Sequence, residues 1–315
     1  MAEIKVIGLG MAVLDILIRL KDMPTWEQGA SLSAVAVEGG GPVATAMVAV
    51  SRLGVSAGFV GTYGNNRLAE IKLQTLVEND LDISHIVQLP CPENQIVLVS
   101  VHEETGERLF SGLRTFRGNQ LSAEQIDRDY ITSAEYLHLD GCHSGAALQA
   151  AQWMHEAGKK VVLDGSATDS PVPPHMQALV KASDILICGS GFGPSLTGLK
   201  DPWEIGEAII EMGPNIVVQT EGKDGSFTVT RKERFHIPSF DVDVIDTTGA
   251  GDVFHGAYIV GQLQGWDPRH TAQFATAVSA IKCTKLSGRA GIPSFDATLA
   301  FLRDHGIEMP PTKKG

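Results

Sequence analysis

The stretch DTTGAGDVFHGAY, residues 246–258, combines residue types that can bind an anion and move a proton. Gly249 and Gly251 open the main chain to close approach by a ligand, and the run that follows has the length of a helix. The N–H groups at a helix N-terminus bind anions, most often phosphate. Asp252 would lie beside that anion, where a carboxylate can act as general base toward a hydroxyl that attacks phosphorus.

The same stretch also has a purely structural interpretation. A capped helix with an acid in its first turn is common, and Gly-Ala-Gly-Asp alone does not decide between the two. His255, one turn after Asp252, either orients the base or simply packs. The positive end of the helix dipole predicts a lowered pKa for Asp252, which suits a base only if proton transfer is late.

Composition and charge narrow the class of protein. The 315 residues are 43% hydrophobic and 20% charged, which is typical of a soluble chain with one large α/β domain or two modest ones. The formal net charge of −12 argues against a nucleic-acid or anionic-membrane surface. It still permits a small anionic ligand in one local patch.

The cysteines and the N-terminal segment predict a cytoplasmic protein. Cys91, Cys142, Cys188 and Cys283 lie far apart without a C-x-x-C pair, which indicates reduced thiols and no zinc ribbon. MAEIKVIGLG lacks the basic and apolar regions of a signal peptide, and no stretch reaches the roughly 18 apolar residues of a membrane span.

Strand-like and helix-like segments alternate along the chain. The strand-like runs are 4–10, 57–64, 135–141, 159–165, 183–189 and 214–222, and the helix-like segments between them are 42–54, 67–80, 147–158 and 203–213. This order predicts a mainly parallel sheet covered by helices on both faces. Residues 15–39 and 94–112 read as strands without helices, and HEETGER as a hairpin turn, which predicts a separate small β layer.

Other motifs give weaker signals. VIGLGMAV is an incomplete dinucleotide fingerprint, since Val13 replaces the third glycine and no acid follows a strand at the required distance. A P-loop sequence is absent. His138 and His143 flank Asp140 without a convincing metal-ligand spacing.

Four segments in order resemble the PfkB, or ribokinase-like, family of carbohydrate kinases. They are VIGLGMAVLD (6–15), EGGGPVATAMVAVSRLG (38–54), VVQTEGKDGS (217–226) and DTTGAGD (246–252). The resemblance covers nearly the whole chain. GGGPVATA and CTKLSGRAGIP (283–293) are most similar to the ketohexokinase and sulfofructose kinase branch.

The resemblance implies a three-layer α/β/α fold with a mainly parallel central sheet and a small β-sheet lid. The core would comprise 1–11, 40–93 and 119–310, the lid 12–39 and 94–118, and a flexible tail 311–315. It implies a cytoplasmic ATP-dependent kinase that takes a sugar and ATP and needs Mg²⁺. The exposed strand edges of the lid favour a homodimer formed through the lids.

The resemblance also implies site residues. Gly249, Ala250 and Gly251 would form the anion hole for the γ-phosphoryl group, beside Asp252 as the base. The positions assigned to the sugar are Asp15, Gly40, Gly41, Thr45 and Asp140. The positions assigned to the nucleotide are Thr220, Gly222, Gly225, Thr248, Ala280 and Cys283, with the loop 287–291 flanking adenine. The family further allows a K⁺ ion on the main-chain carbonyls of Asp246 and Thr248.

Two departures from the family pattern bear on metal and substrate. Gly189 and Phe192 occupy the positions of an Asn-x-x-Glu that supports phosphate-bound Mg²⁺, and Thr45 replaces an asparagine that binds ribose. The branch favours a ketose as acceptor. The alternatives are ribokinase, 2-keto-3-deoxygluconate kinase or phosphofructokinase-type activity, then a nucleoside kinase, and most remotely a non-catalytic sugar sensor. The lid arginines Arg108, Arg114 and Arg117 either face solvent or reach an anionic substrate.

Overall fold

A computed structural model describes residues 3–113, 115, 120–165 and 171–313. The strands are β1 Val6–Leu9, β2 Val13–Leu20, β3 Leu32–Gly40, β4 Ala57–Val60, β5 Thr62–Tyr63, β6 Val87–Gln88, β7 Ile96–His102, β8 Arg108–Gly112, β9 Tyr136–Leu139, β10 Lys160–Gly165, β11 Ile185–Gly189, β12 Ile216–Thr220, β13 Ser226–Thr230 and β14 Arg234–Ile237. The helices are α1 Pro42–Arg52, α2 Arg67–Val77, α3 Arg128–Ser133, α4 Ser144–Glu156, α5 Pro174–Lys181, α6 Phe192–Thr197, α7 Pro202–Ile210, α8 Ala250–Leu263, α9 Pro268–Cys283 and α10 Phe295–Asp304.

An eight-stranded sheet forms the centre of the molecule, in the order β14-β13-β12-β11-β10-β9-β1-β4. Six neighbouring strands of this sheet are parallel, namely β12, β11, β10, β9, β1 and β4. Strands β13 and β14 run antiparallel at one edge. The parallel strands are mostly apolar and buried, as expected of a sheet covered on both faces. Their carboxyl ends meet at one edge, where open α/β sheets bind their ligands.

Two apolar clusters lie on opposite faces of this sheet. One contains Met47, Tyr258 and Phe274 from α1, α8 and α9, and the other contains Met154 and Ile209 from α4 and α7. Alternate residues of each strand enter opposite clusters because side chains alternate across a strand. The predicted three-layer α/β/α arrangement is therefore confirmed.

A separate four-stranded sheet has the order β3-β2-β7-β8. Strands β2 and β7 are parallel, and the β7–β8 hairpin turns at the predicted Thr105-Gly106 tip, where Gly106 has φ of 69°. The predicted small β layer is confirmed. Arg114 and Arg117, in the segment after β8, lie outside the described residues.

Lys313, the last described residue, contacts the C-terminus of α8. Of the predicted flexible tail 311–315, residues 314 and 315 lie outside the described residues. The Lys313 main-chain N–H donates to Gln264 Oε1 at 3.0 Å. Within the described ranges, no helix combines the length and apolar character needed to cross a bilayer.

Candidate active site

Helix α8 begins in the glycine stretch singled out in the sequence. Gly249 precedes its first residue with φ of 70°, and a Cβ atom there would lie 3.0 Å from the Gly288 carbonyl oxygen. Both facts explain glycine at this position. The Ala250 N–H donates to Thr247 O at 3.2 Å, so it is already engaged. Helix geometry leaves the next N–H groups, of Gly251 and Asp252, without intrahelical acceptors.

A cavity of about 570 Å³ lies in front of this helix end. Its wall brings together three segments that are distant in sequence. They contribute Thr220, Gly222 and Gly225, then Ala250 and Gly251, and from α9 Ala280 and Cys283. Thr248 was predicted to contact the nucleotide, but its neighbour Thr247 is the threonine found in the cavity wall. The cavity wall therefore contains most positions predicted for the nucleotide, together with Ala250 and Gly251 of those predicted for the phosphate.

Gly251 is the point where a side chain would enter open space. A Cβ atom built on it meets no atom within 4 Å, and the residue is exposed and lines the cavity. Its backbone is helical rather than left-handed. Steric access to the cavity, and not backbone strain, therefore explains the glycine here.

The residues predicted for the sugar lie beside the carboxyl ends of β1 and β9. Gly40 packs against the Asp15 carboxylate so closely that a Cβ atom would collide with Oδ2. Gly41, at the start of α1, has φ of 92° and faces the Met11 carbonyl oxygen. Asp140 fixes this turn, since its Oδ2 accepts from the Met11 N–H at 2.8 Å.

Arg289 joins the same region and was not predicted to do so. The loop 287–291 is expected to flank adenine, and within it the buried Arg289 guanidinium points to the glycine-rich segment 38–54. Its Nε donates to Thr45 Oγ1 at 3.2 Å, and its Nη2 donates to Gly40 O at 2.9 Å. In the sequence, only the neighbouring glycines in SGRAG mark Arg289. That pattern does not predict partners more than 200 positions away.

The charges in this region shift one another's pKa values. Burial raises the pKa of Asp252 to about 6, and Asp140 adds to that rise, whereas Arg289 and Lys282 act against it. The expected lowering by the helix end is therefore wrong, because desolvation outweighs it. Burial likewise raises the pKa of Asp15 to about 6, with Glu38 and Asp252 adding to the rise and Arg289 opposing it.

Replacing Arg289 by methionine is expected to move the acidic limb of the kcat/KM profile to higher pH. A base must be ionised to accept a proton, so with Asp252 as the proposed base activity is expected to fall below pH about 6, and loss of the neighbouring cation should raise that limit. Arg289 itself keeps its charge, since burial lowers its pKa only to about 10 while Asp15 and Asp252 oppose the fall. The loss should be roughly 10- to 100-fold near pH 6 and smaller near pH 8.

The control for this prediction is Arg289→Lys, which keeps the charge and should keep the acidic limb near its original position. A methionine variant with an unshifted pH profile would remove Arg289 from the electrostatics of Asp252. A shift that also appears in the lysine variant would assign the effect to packing.

His255 does not face Asp252. Its Nδ1 lies 3.9 Å from Asp164 Oδ2, and its ring contacts His138 edge-on. Burial lowers the pKa of His255 well below its usual value, so it is neutral. The packing interpretation of His255 therefore agrees with its surroundings better than a role in orienting the base.

The positions that depart from the family's Mg²⁺ motif have no metal-binding group. Phe192 is buried in the apolar cluster beneath α6, and Gly189 ends β11. A carboxylate nevertheless lies close by, because Ser190 Oγ donates to Glu221 Oε2 at 2.7 Å just after β12. The described residues contain no group of three or more side chains able to cage a metal ion. A single carboxylate fits Mg²⁺ that rests mainly on phosphates and water.

Asp246 links the glycine stretch to the small sheet and to α9. Its carboxylate accepts from the Thr248 and Ser287 N–H groups, each at 2.8 Å, and Arg108 Nη2 of β8 lies 2.6 Å away. Arg108 is therefore neither wholly in solvent nor free for an anionic substrate. The Asp246 carbonyl oxygen accepts from Lys282 Nζ at 2.8 Å.

Comparison with known proteins places this arrangement in a family. The model of the pfkB family carbohydrate kinases matches residues 9–294. The ATP-dependent ribose-1-phosphate kinase of Halopiger xanaduensis is 26% identical over 96% of this chain and 99% of its own length. The 2-dehydro-3-deoxygluconokinase of Bacillus subtilis is 26% identical over 80% of this chain and 83% of its own.

A solved structure shares the fold at lower identity. Arabidopsis thaliana ribokinase complexed with ribose and ATP superimposes with a TM-score of 0.83 at 21% identity, covering 95% of this chain and 98% of that one. The family match at residues 9–294 covers the small sheet, most of the central sheet, the glycine stretch and Asp252. The chain therefore belongs to the pfkB family of carbohydrate kinases and has the ribokinase-like fold.

Proposed function

We propose that this kinase transfers the γ-phosphoryl group of ATP to a hydroxyl of a ketose-like sugar. The observation that carries the proposal is the position of the glycine stretch. Its Ala250 and Gly251 line a cavity able to hold a nucleotide, and its Asp252 is coupled electrostatically to Asp15 and Asp140, whose carboxylates suit sugar hydroxyls. Asp140 raises the pKa of Asp252, and this coupling supports a position of the proposed base next to the proposed sugar-binding region.

The proposed roles follow from this geometry. The N–H groups of Gly249, Gly251 and Asp252 would hold the transferring phosphoryl group, with Ala250 only partly available because of its bond to Thr247. Each such donor is worth roughly 3 kcal/mol of transition-state stabilisation by the precedent of oxyanion holes. Asp252 would take the proton of the attacking hydroxyl.

Mg²⁺ on the ATP phosphates would neutralise charge in the transition state. Glu221 is the carboxylate that would hold its water ligands in place of the missing family motif. The nucleotide would occupy the cavity walled by Thr220, Gly222, Gly225, Ala280 and Cys283.

The ketose assignment rests on the two segments that resemble the ketohexokinase and sulfofructose kinase branch. The fold brings them together, because Arg289 of SGRAG bonds to Gly40 and Thr45 of GGGPVATA. The named relatives act on ribose 1-phosphate and on a keto-deoxy sugar acid, and Arg289 is a cation that suits an anionic acceptor. An acidic ketose is therefore the main alternative to a neutral one.

A panel of acceptors tests the substrate at fixed Mg-ATP by ADP release. We expect the highest kcat/KM among fructose, tagatose and sulfofructose, compared with fructose 6-phosphate, ribose, ribose 1-phosphate, 2-keto-3-deoxygluconate and adenosine. A preference for ribose or adenosine would refute the ketose assignment, and no ADP release with any acceptor would count against sugar phosphorylation itself.

The small sheet is proposed as a lid over the sugar and as the dimer interface. Val35 and Val37 on β3, Leu98 on β7 and Leu109 on β8 are exposed on one face of it. Apolar side chains exposed together in this way favour pairing with a second copy. Light scattering that gives a monomer mass would exclude this assembly.

The separated cysteines favour action in the cytoplasm.

A further inference from the structure

Lys282 is a fully buried lysine in the last turn of α9, directly below the glycine stretch. Its exposed fraction is 0%, and its Nζ donates to the Asp246 main-chain carbonyl at 2.8 Å. A buried ammonium group is costly unless it is compensated, so a lysine at such a position needs a reason.

The partner of this ammonium group is a carbonyl and not a carboxylate. Among the described residues, no ion pair joins Lys282 to an acid, since the Asp246 carboxylate is held by Arg108 and by main-chain N–H groups. The Lys282 ammonium group therefore lies against a peptide oxygen at the start of the loop 246–249, which leads into α8.

The charged groups that face Lys282 come from four segments. Burial lowers the pKa of Lys282, Asp246 and Cys283 oppose that fall, Arg108 adds to it, and Asp252 opposes it. In the opposite direction, Lys282 lowers the pKa of Asp252. Lys282 is therefore coupled both to the loop and to the proposed base.

This arrangement conflicts with a K⁺ ion at the same place. The expected K⁺ ligands are the carbonyl oxygens of Asp246 and Thr248, but the Asp246 oxygen already binds a cation. An ammonium group has the charge of K⁺ and a similar size. A K⁺ ion next to it would face strong repulsion in a buried environment, so the residues present do not fit K⁺.

We propose that the Lys282 ammonium group is a built-in substitute for a monovalent cation, which makes phosphoryl transfer by this kinase independent of K⁺. The inference rests on the proposed function. Lys282 acts as a positioning residue. By binding the Asp246 carbonyl it fixes the loop that leads into α8, where the N–H groups of Gly251 and Asp252 lie. It also adds positive charge next to the proposed phosphate site.

The first test compares the wild-type enzyme in KCl, NaCl, NH₄Cl and tetramethylammonium chloride at equal ionic strength, with ADP release as the readout. The rate should vary by less than about twofold among the four salts, because no monovalent-cation site is left to fill. Activation by K⁺ of about tenfold or more over tetramethylammonium would overturn the proposal.

The second test removes the ammonium group. Lys282→Met keeps most of the apolar stem, and Lys282→Ala leaves more room for an ion. Without K⁺ we expect kcat to fall by roughly 100-fold, because one charge that supports the anion hole is lost. K⁺ or NH₄⁺ should restore most of it in at least one variant, whereas Na⁺ and tetramethylammonium should not. Lys285→Met, at an exposed lysine outside the cavity wall, should behave like wild type.

Thermal unfolding gives a readout that does not depend on turnover. K⁺ should raise the Tm of a Lys282 variant relative to tetramethylammonium and leave that of the wild type unchanged, because only the variant gains a binding site for the ion. A folded variant that keeps full activity without K⁺, or that responds to K⁺ in neither Tm nor rate, would overturn the proposal. If the wild type phosphorylates no acceptor, the proposed function fails, while the Tm comparison still tests the cation site.

Discussion

Asp252→Asn is expected to lower kcat by roughly 10²- to 10⁴-fold while nucleotide binding stays nearly intact. Asparagine keeps the shape of the side chain and cannot accept the proton of the sugar hydroxyl. The nucleotide contacts proposed for the cavity wall do not include this carboxylate. Steady-state kinetics with the best acceptor and a separate ADP-binding titration measure the two quantities.

Thermal unfolding shows whether the variant remains folded. Burial raises the pKa of Asp252 in the folded state to about 6, above the ordinary value of 3.8 that applies in the unfolded chain. Protonation of Asp252 therefore favours the folded state. That contribution is fully present below pH about 4 and is lost as the pH rises through about 6. The Tm of the asparagine variant should therefore exceed that of the wild type near neutral pH, and the difference should shrink in acid.

Asp296→Asn is the matched control, because Asp296 is an exposed acid in the first turn of α10 and does not line the cavity. It should leave kcat unchanged. An Asp252→Asn enzyme that keeps wild-type kcat would exclude Asp252 as the base.

Gly251→Val is expected to abolish most turnover, by roughly 10³-fold or more, without unfolding the protein. A Cβ atom at Gly251 meets no protein atom within 4 Å, so the valine side chain would project into the space proposed for the phosphate. The helical backbone of Gly251 accepts valine without left-handed strain. The ligand-free Tm should consequently stay near that of the wild type while ATP binding weakens.

Gly145→Val provides the comparison. Gly145 is likewise the second residue of a helix, α4, is exposed, and meets no atom within 4 Å of an added Cβ. It should leave both turnover and ATP affinity unchanged. Full activity of Gly251→Val would mean that phosphate binds elsewhere, whereas a large loss in Gly145→Val would point to a general effect of valine at helix starts.

Local patterns in the sequence were sufficient to predict the fold and the proposed centre of the site. The alternation of apolar runs with amphipathic segments predicts the layered parallel sheet, because the two periodicities follow from backbone geometry within each segment. The glycine stretch with Asp252 is also local, since a left-handed Gly249 and a helix start require only neighbouring residues. The order of the four motifs then sufficed to indicate the family that the comparison shows.

Tertiary structure decided what depends on distant partners and on burial. The bond from Arg289 to Thr45 joins positions 244 residues apart, so the sequence could only suggest that the loop 287–291 lies near the site. The sequence-based prediction of a lowered pKa for Asp252 was wrong, because it used only the local helix dipole. The burial that raises this pKa depends on the whole fold. The contact between Lys282 and the Asp246 carbonyl has the same origin. Lys282 reaches the Asp246 carbonyl because α9 packs against α8. An isolated lysine in a helical sequence pattern does not reveal this contact.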